Sequence, residues 1–401
     1  METLGTTFGQ MATQTETLEV APRHQRLFIG ILKESTLQEN RVALVPHSVA
    51  TLTAHGHEVL VEAGAGEKAH FSDMDYSEAN ARITHNREEV FKADVLLKVA
   101  PPTLEEIDLM RPNQVVISPI HLPLLSPEYI TKLQKRRVIA LAMEYIRDDE
   151  TGVFPIVRVM SEIAGTSAIL IAANLLSTSH GGKGELLGGI AGVPPAKVII
   201  LGAGVVAEVA SRTAIGLGAE VRIFDNDVYK LMRLQKHVGR QLHTSVINPM
   251  HLREQLLTAD VAIGAMHSGH GRTPIVVQED VVKGMKAGAV IIDVSIDQGG
   301  VFETSEATSL EKPTFVKHGV IHYCVPNIAS RVARTASAAI SNIITSLLLK
   351  AEAGGIIPLI TSHQGLRNGV YTYKGCLTNA YLGERFHLKS TDLDLLITSD
   401  F

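Results

Sequence analysis

Val198-Ile-Ile-Leu-Gly202-Ala-Gly204-Val-Val-Ala207 is the stretch that decides the fold. An apolar run enters a glycine turn, a helical run continues to Gly218, a second apolar run covers Val221–Phe224, and Asp225 follows. The order is strand, glycine turn, helix, strand, acid. Glycines permit a tight turn and close backbone approach to a pyrophosphate. The helix N-terminus then supplies amide donors and partial positive charge, and Asp225 can accept from a ribose 2′-hydroxyl. A glycine pattern alone is weak evidence, but here the strand, the helix and an acid about 20 residues on accompany it. A dinucleotide site is expected, with Gly202 and Gly204 at its turn. Asn226 and Asp227 follow Asp225, so a 2′-phosphate there would face two acids, and NAD is expected over NADP. Arg222 would have to reach past Asp225 to change that.

Working outward, short apolar runs alternate with helical spacing on both sides of this turn. Before it come Leu27–Leu32, Glu58–Glu62, Val95–Val99, Val115–Ile120 and Val138–Ala142, with helical spacing in His47–His55 and Glu105–Met110. After it come Val261–Met266, Val290–Val294 and Val320–Val325. Such alternation gives parallel sheets. Ser161–Leu176 is apolar and rich in small residues, as a buried connecting helix would be. His180–Ala196, with six glycines and two prolines, reads as a loop at a domain boundary, and Val332–Lys350 as a second long helix. The expected fold is α/β with two Rossmann-like domains, the NAD-binding one inserted into a discontinuous substrate domain. The expected division is an extension over residues 1–26, a substrate domain from 27–160, an NAD-binding domain from 161–332, and a return with a tail over 333–401.

The length of 401 residues and 45% hydrophobic content suit two domains with a cleft. A net charge of −5 with both signs interspersed provides no basic face for a phosphate backbone, so nucleic acid is not an expected partner. Cys324 and Cys376 are too few for a disulfide framework and lack zinc-site spacing, which points to a reducing cytoplasm and no structural metal. No apolar stretch reads as the ~20 residues of a membrane span. Residues 1–26 carry neither the apolar core of a signal peptide nor, given Glu2, Glu16 and Glu19, the look of a transit peptide.

A few polar residues stand where chemistry could use them. Lys98 interrupts Val95-Leu-Leu-Lys98-Val-Ala at the carboxyl end of a strand. A buried ammonium needs a partner, so it either snorkels to water or meets a substrate carboxylate. His121 ends the run Val115–Ile120 at a similar edge, as a satisfied histidine or a proton carrier. Arg41 precedes a predicted helix and offers a planar fork, on a solvated surface or to a carboxylate. Asp297 precedes Gly299-Gly300, where it serves the turn or faces a nicotinamide; Asp293, inside the run, reads as structural. Asn327 either holds a cofactor or caps a helix.

These residues fall within a longer ordered set of motifs. The set includes Lys33-Glu34, Glu39-Asn-Arg41-Val-Ala-Leu, Ala63-Gly64-Ala65-Gly66, Leu97-Lys98-Val99, His121-Leu122 and Met160-Ser161-Glu-Ile-Ala-Gly165. It continues with Gly181-Gly-Lys-Gly184, Ile296-Asp297-Gln-Gly-Gly300, Lys317-His-Gly-Val320 and Arg334-Thr335. From about Ile29 to about Tyr381 the chain resembles the alanine dehydrogenase group. That group is related to the NAD-binding subunit of proton-translocating transhydrogenase and, more distantly, to lysine- and saccharopine-forming dehydrogenases. The resemblance implies that Arg41 and Lys98 bind a substrate carboxylate and that His121 and Asp297 transfer protons. It also implies that Ser161 and Asn327 approach the nicotinamide, Val206 the diphosphate, and Asp225 and Lys230 the adenosine ribose, with Met266 on the cofactor-side loop. Family oligomers are commonly hexamers, sometimes dimers.

Five departures alter the surroundings. Ala100-Pro101-Pro102 replaces the usual Lys-Glu-Pro, and Pro119 stands where an aromatic is common. Met266-His267-Ser-Gly-His270-Gly-Arg272 replaces an apolar loop with Pro-Gly, and Ala329-Ser330 and Ala333 replace a Pro-Gly and a proline. The resemblance implies NAD-dependent conversion of L-alanine to pyruvate and ammonia, and the reverse. The alternatives are a transhydrogenase-like NAD(H)-binding module without amino-acid turnover, and a dehydrogenase of another small amino acid or of an opine or lysine type.

Overall fold

The structure, a computed structural model, describes residues 25–36, 38–120, 125–268, 271–351 and 354–398. It contains two sheets. The first holds β1 (Phe28–Ile31), β2 (Glu58–Glu62), β3 (Arg82–Thr84), β4 (Val95–Leu97), β5 (Val115–Ser118) and β6 (Ile139–Ala142). The second holds β7 (Lys197–Leu201), β8 (Glu220–Phe224), β9 (His243–Ser245), β10 (Val261–Gly264), β11 (Val290–Asp293), β12 (Thr314–Lys317) and β13 (Val320–Tyr323). β14 (Val370–Tyr373) and β15 (Cys376–Leu377) then rejoin the first sheet.

Both sheets have the doubly wound order. The first runs β15-β14-β6-β5-β4-β1-β2-β3, parallel from β3 to β6 and antiparallel at β14 and β15. The second runs β12-β13-β11-β10-β7-β8-β9, parallel except for the β12–β13 hairpin. Central strands are covered on both faces, and alternate residues enter different cores. On β7, Val198 and Ile200 join one cluster and Ile199 and Leu201 the other. The Lys317-His-Gly-Val320 motif is the β12–β13 turn; His318 and Gly319 have φ of 54° and 74°, the signature of a two-residue hairpin whose twist matches its strands. Gly202, at φ 114°, is required because a Cβ would lie 2.3 Å from the Ala265 carbonyl oxygen.

Two helices carry the chain between the sheets. Pro155–Leu175 leads from β6 to the second sheet, and Ala333–Lys350 leads back to the first. Pro155 extends the first of them a turn and a half upstream of Ser161, proline being suited to a helix's first turn. Contrary to the sequence expectation, two helices, Pro155–Leu175 and Ile328–Lys350, are long and apolar enough to cross a membrane by length and composition. Their apolar faces are used inside the protein: Ala164, Ala168 and Ala172 pack into the second core, and Ile340, Ile344 and Leu348 into the first. Small residues let Pro155–Leu175 lie directly on Val205–Gly216, the helix that follows the glycine turn. A Cβ on Gly165 would sit 2.6 Å from the Val206 carbonyl oxygen and 2.9 Å from the Ala210 nitrogen.

The edge of the second sheet holds a buried histidine. His322 stacks on Phe315 with ring centroids 4.7 Å apart, its Nδ1 lies 3.0 Å from the Val320 carbonyl, and its Nε2 lies 2.8 Å from the Thr304 hydroxyl. The carbonyl only accepts, so Nδ1 carries the proton and Nε2 accepts from Thr304. This ring is satisfied while neutral, and burial lowers its pKa to about 4.

Two predictions follow from these packings. Gly165→Ala should destabilise the protein by about 1–3 kcal/mol in denaturant titration, since neither backbone can give way without shifting a helix. His322 has a folded pKa below its unfolded value, so its contribution is complete above about pH 6.5 and is lost as pH falls toward about 4, up to about 3 kcal/mol. Over that window the melting temperature of the wild type should fall more steeply than that of His322→Gln; parallel curves would contradict the assignment.

Candidate functional site

The carboxyl ends of both sheets open onto one cleft of about 470 Å³. In doubly wound folds, that edge, where the strand order reverses, is where ligands bind. From the first sheet the cleft receives Arg41, Val99 beyond β4, Pro119 beyond β5, and Met143 and Glu144 beyond β6. From the second it receives Gly204–Val206 beyond β7, Ala265–His267 beyond β10, Val294, Ser295, Asp297 and Gln298 beyond β11, and Asn327 and Ile328 beyond β13. Met160, Ser161 and Ala164 of the connecting helix line it between them.

Most of the expected site residues are therefore brought together: Arg41, Ser161, Gly204, Val206, Met266, Asp297 and Asn327 all line the cleft. His121 lies outside the described residues; Ile120, just before it, donates its N–H to Glu144 Oε1 at 2.8 Å.

The glycine turn has the features of a phosphate cradle. Gly204 is the N-cap of Val205–Gly216 and no side chain caps that helix. A Cβ on Gly204 would meet nothing within 4 Å, so the space before the first-turn amides is open. Asp225 does not line the cleft, yet it holds the turn: Oδ2 accepts from Ala203 N–H at 2.7 Å and Oδ1 from Asp227 N–H at 2.8 Å. Two such bonds leave acceptor capacity on the carboxylate. Asp227 caps the next helix through Tyr229 and Lys230 N–H, and Lys230 is exposed. Burial, and secondarily the Lys230 charge, lowers the pKa of His267 on the cleft wall. Met266 is tied down through both backbone groups by Ser295, whose hydroxyl accepts from its N–H at 3.0 Å and donates to its carbonyl at 2.8 Å.

Arg41 is held by Glu39. Nε and Nη2 donate to the two carboxylate oxygens at 2.8 and 2.7 Å, while Nη1 lies 3.2 Å from Met160 Sδ. Burial pushes the Glu39 pKa up, but the Arg41 charge and the hydrogen bonds from Arg41 and Asn327 outweigh it and hold the carboxyl below its ordinary range. The segment around Arg41 is strapped to the second long helix by serines: Ser330, Ser337 and Ser341 accept from the N–H groups of Asn40, Val42 and Val45, each at 2.9 Å.

Lys98 sits behind the cleft rather than on its wall. It is 1% exposed, which rules out snorkelling, and Nζ lies 3.0 Å from Glu34 Oε2 and 3.2 Å from Glu106 Oε1. Glu106 also pairs with Arg87 and completes the capping box with Thr103. Burial raises the Glu34 pKa, against the opposing Lys98 charge and the Val99 N–H bond. Asp293 is structural, as its position in the strand run suggests. It accepts from Ser295, Val301 and Phe302 N–H and from the Ser305 hydroxyl, and burial raises its pKa.

Sequence reasoning passed over Glu39, Glu144, Met160 and Ser295. Glu39, two residues before Arg41, and Ser295, midway between two aspartates, were visible as neighbours of singled-out residues. Met160, immediately before Ser161, was visible in the same way, whereas Glu144 carried no such mark. The Gly181-Gly-Lys-Gly184 motif serves the opposite end of the second sheet, where Lys183 and Lys286 pair with buried Asp260 at 2.8 and 2.6 Å.

Comparison with known proteins agrees with this geometry. Residues 30–164 match the family model for the alanine dehydrogenase/PNT N-terminal domain, and residues 168–380 that for the alanine dehydrogenase/PNT C-terminal domain. The chain is 38% identical over 363 residues to alanine dehydrogenase 2 of Staphylococcus aureus (strain USA300), covering 90% of this chain and 97% of that one. Among solved structures, an L-alanine dehydrogenase superposes with a TM-score of 0.84 at 35% identity over 90% of this chain and 99% of its own. A transhydrogenase from Sinorhizobium meliloti superposes with a TM-score of 0.73 at 27% identity, over 88% of this chain and 98% of that one. On the matched sequence and the shared two-sheet architecture, the chain belongs to the alanine dehydrogenase/PNT family.

Proposed function

We propose that the protein is an NAD-dependent L-alanine dehydrogenase, converting L-alanine, NAD⁺ and water to pyruvate, ammonium, NADH and a proton, and the reverse. The observation that carries the reading is the cleft itself: an uncapped helix N-terminus with open space at Gly204 shares one cleft with Arg41 and Asp297. The dinucleotide fits these residues. Val205 and Val206 would receive its diphosphate, Asp225 with Lys230 its adenosine ribose, and Ser161, Met266 and Asn327 its nicotinamide end. Bound there, NAD would supply the hydride acceptor for the substrate Cα.

The chain's own residues do the rest. Arg41 Nη1, whose partner in the cleft is a weakly accepting thioether, takes the substrate carboxylate and fixes Cα for transfer. Lys98, paired with Glu34 and Glu106 behind the cleft, braces the strand end that carries Val99 through Glu34, which also accepts from the Val99 N–H. Val157, Met160, Met143 and Ile328 form apolar walls that keep water from the reacting carbon. Once the substrate ammonium has given up a proton, loss of the hydride leaves an iminium ion on the substrate, an imine in its deprotonated form. Asp297, with His121 as the second proton carrier, manages the protons as water adds to that imine and ammonia leaves.

We also assign residues 27–160 and 333–401 to the substrate side and 161–332 to the NAD-binding side, a division that the membership of the two sheets supports. Homo-oligomers in the cytoplasm are the proposed working state. Leu186, Ile190, Val193 and Leu217 expose apolar surface close together, since Gly188 packs against the Leu217 carbonyl. Light scattering after size exclusion should give a mass at least twice 43.3 kDa.

The second reading, an NAD(H)-binding module, is favoured by the transhydrogenase match and is separated by turnover. Purified protein with NAD and a panel of amino acids should form NADH fastest with L-alanine. Asp297→Asn should lower kcat by about 10²–10⁴-fold while NADH binding, read by fluorescence, persists. Tight NADH binding with no amino acid turned over would sink the dehydrogenase reading and leave the module.

A further inference from the structure

Glu39 carries more than its ion pair with Arg41. It is 2% exposed and accepts from five donors on both sides of the cleft. Three come from Arg41: its backbone N–H at 2.9 Å, Nε at 2.8 Å and Nη2 at 2.7 Å. The other two follow β13 of the opposite sheet: Asn327 Nδ2 donates to Oε2 at 2.6 Å and the Ser330 hydroxyl to Oε1 at 3.1 Å. Asn327 in turn donates its backbone N–H to Asp297 Oδ1 at 3.2 Å. Its φ of 57° is left-handed, a conformation asparagine tolerates better than most residues with a Cβ. One residue thus grips Glu39 with its side chain and Asp297 with its backbone.

Holding a guanidinium does not by itself require this arrangement, because a buried ion pair adds little stability over a well-packed apolar substitute. What the arrangement does add is direction. With Nε and Nη2 engaged, the fork presents Nη1 beside Met160, and the connection through Asn327 ties the Glu39–Arg41 pair to the Asp297 carboxylate. We propose that Glu39 is a positioning residue for the reaction, aiming Arg41 Nη1 at the substrate carboxylate and, through Asn327, holding that guanidinium in register with Asp297. The assignment rests on the dehydrogenase reading above. It places the substrate carboxylate and the proton-handling carboxylate under one hydrogen-bonded bridge instead of on two independently placed sheets.

The test is an exchange of roles between Glu39 and Asn327, with kcat measured at saturating NAD and L-alanine across pH. Glu39→Gln removes the bidentate acceptor and should lower kcat by about 10²-fold, the scale of a small misplacement of reacting groups. N327D sets two carboxylates against each other, and such a pair shares one proton. Its kcat relative to wild type should therefore be low at neutral pH and rise at least tenfold as pH falls toward 5. E39Q/N327D keeps the loss of the bidentate acceptor but removes the opposition of two carboxylates, so its kcat should exceed that of N327D at neutral pH, stay close to that of E39Q, and keep a ratio to wild type that is flat with pH. Losses that multiply in the double variant, together with a pH-independent N327D ratio, overturn the proposal.

Should N327D fail to fold, Glu39→Asp keeps the charge and draws the carboxylate back by one methylene. It should lower kcat about tenfold with NADH affinity unchanged, and an unchanged kcat in the folded variant likewise overturns the assignment. A wild type that binds NADH but turns over no amino acid defeats the functional reading instead. The bridge is then judged by melting temperature in the same proteins, where E39Q/N327D melting above N327D sustains it and melting below it does not.

Discussion

The contact at Gly165 sets the distance on which the rest of the molecule depends. The helix that leaves the first sheet can reach the second only by lying on the helix that follows the glycine turn, and no methyl group fits between them. That contact fixes Ser161 and Ala164 beside Val206, and with them one wall of the cleft. It also explains the alanines, glycine and serines on this helix. They give up apolar area per residue in exchange for backbone proximity, and the second sheet recovers the burial by packing the helix from its other side.

Much of the architecture was legible because parallel strands are buried on both faces and read as continuous Val, Ile and Leu runs. β1, β2, β4, β5, β6, β7, β8, β10, β11 and β13 all coincide with such runs. The unread strands are those where that physics weakens. β3, β9 and β12 lie at or beside sheet edges with few buried residues, and β14 and β15 return antiparallel from a distant part of the chain. The start of the connecting helix was missed because Arg158, turned to solvent beside Glu162, breaks the apolar pattern, whereas Pro155 was a local signal of a helix start. In the site, Lys98 was recognisable as an ammonium that must have a partner. Glu34 and Glu106 as those partners were not, because the first comes from the end of another strand and the second from a helix turn across the sheet edge.

Arg41 illustrates the same limit from the other side. Its fork is visible in the sequence, but its orientation depends on a serine-strapped segment and on a carboxylate whose other donors come nearly three hundred positions later. No local pattern encodes that. Of the positions read in the sequence as departing from the resemblance, Ala329-Ser330 falls in this neighbourhood, and Ser330 is itself one of the donors to Glu39.

Arg41 on the cleft wall and Lys98 behind it are both paired, Arg41 with Glu39 and Lys98 with Glu34 and Glu106. These two pairs offer hydrogen-bond direction with little net charge of their own. In the proposed reaction a zwitterion, carrying its own opposing charges, would meet no imbalance from either pair on entering, and a singly charged acid would gain no long-range pull from them. Recognition is then a matter of contact geometry rather than of steering, and because the paired charges are buried, added salt has little left to screen.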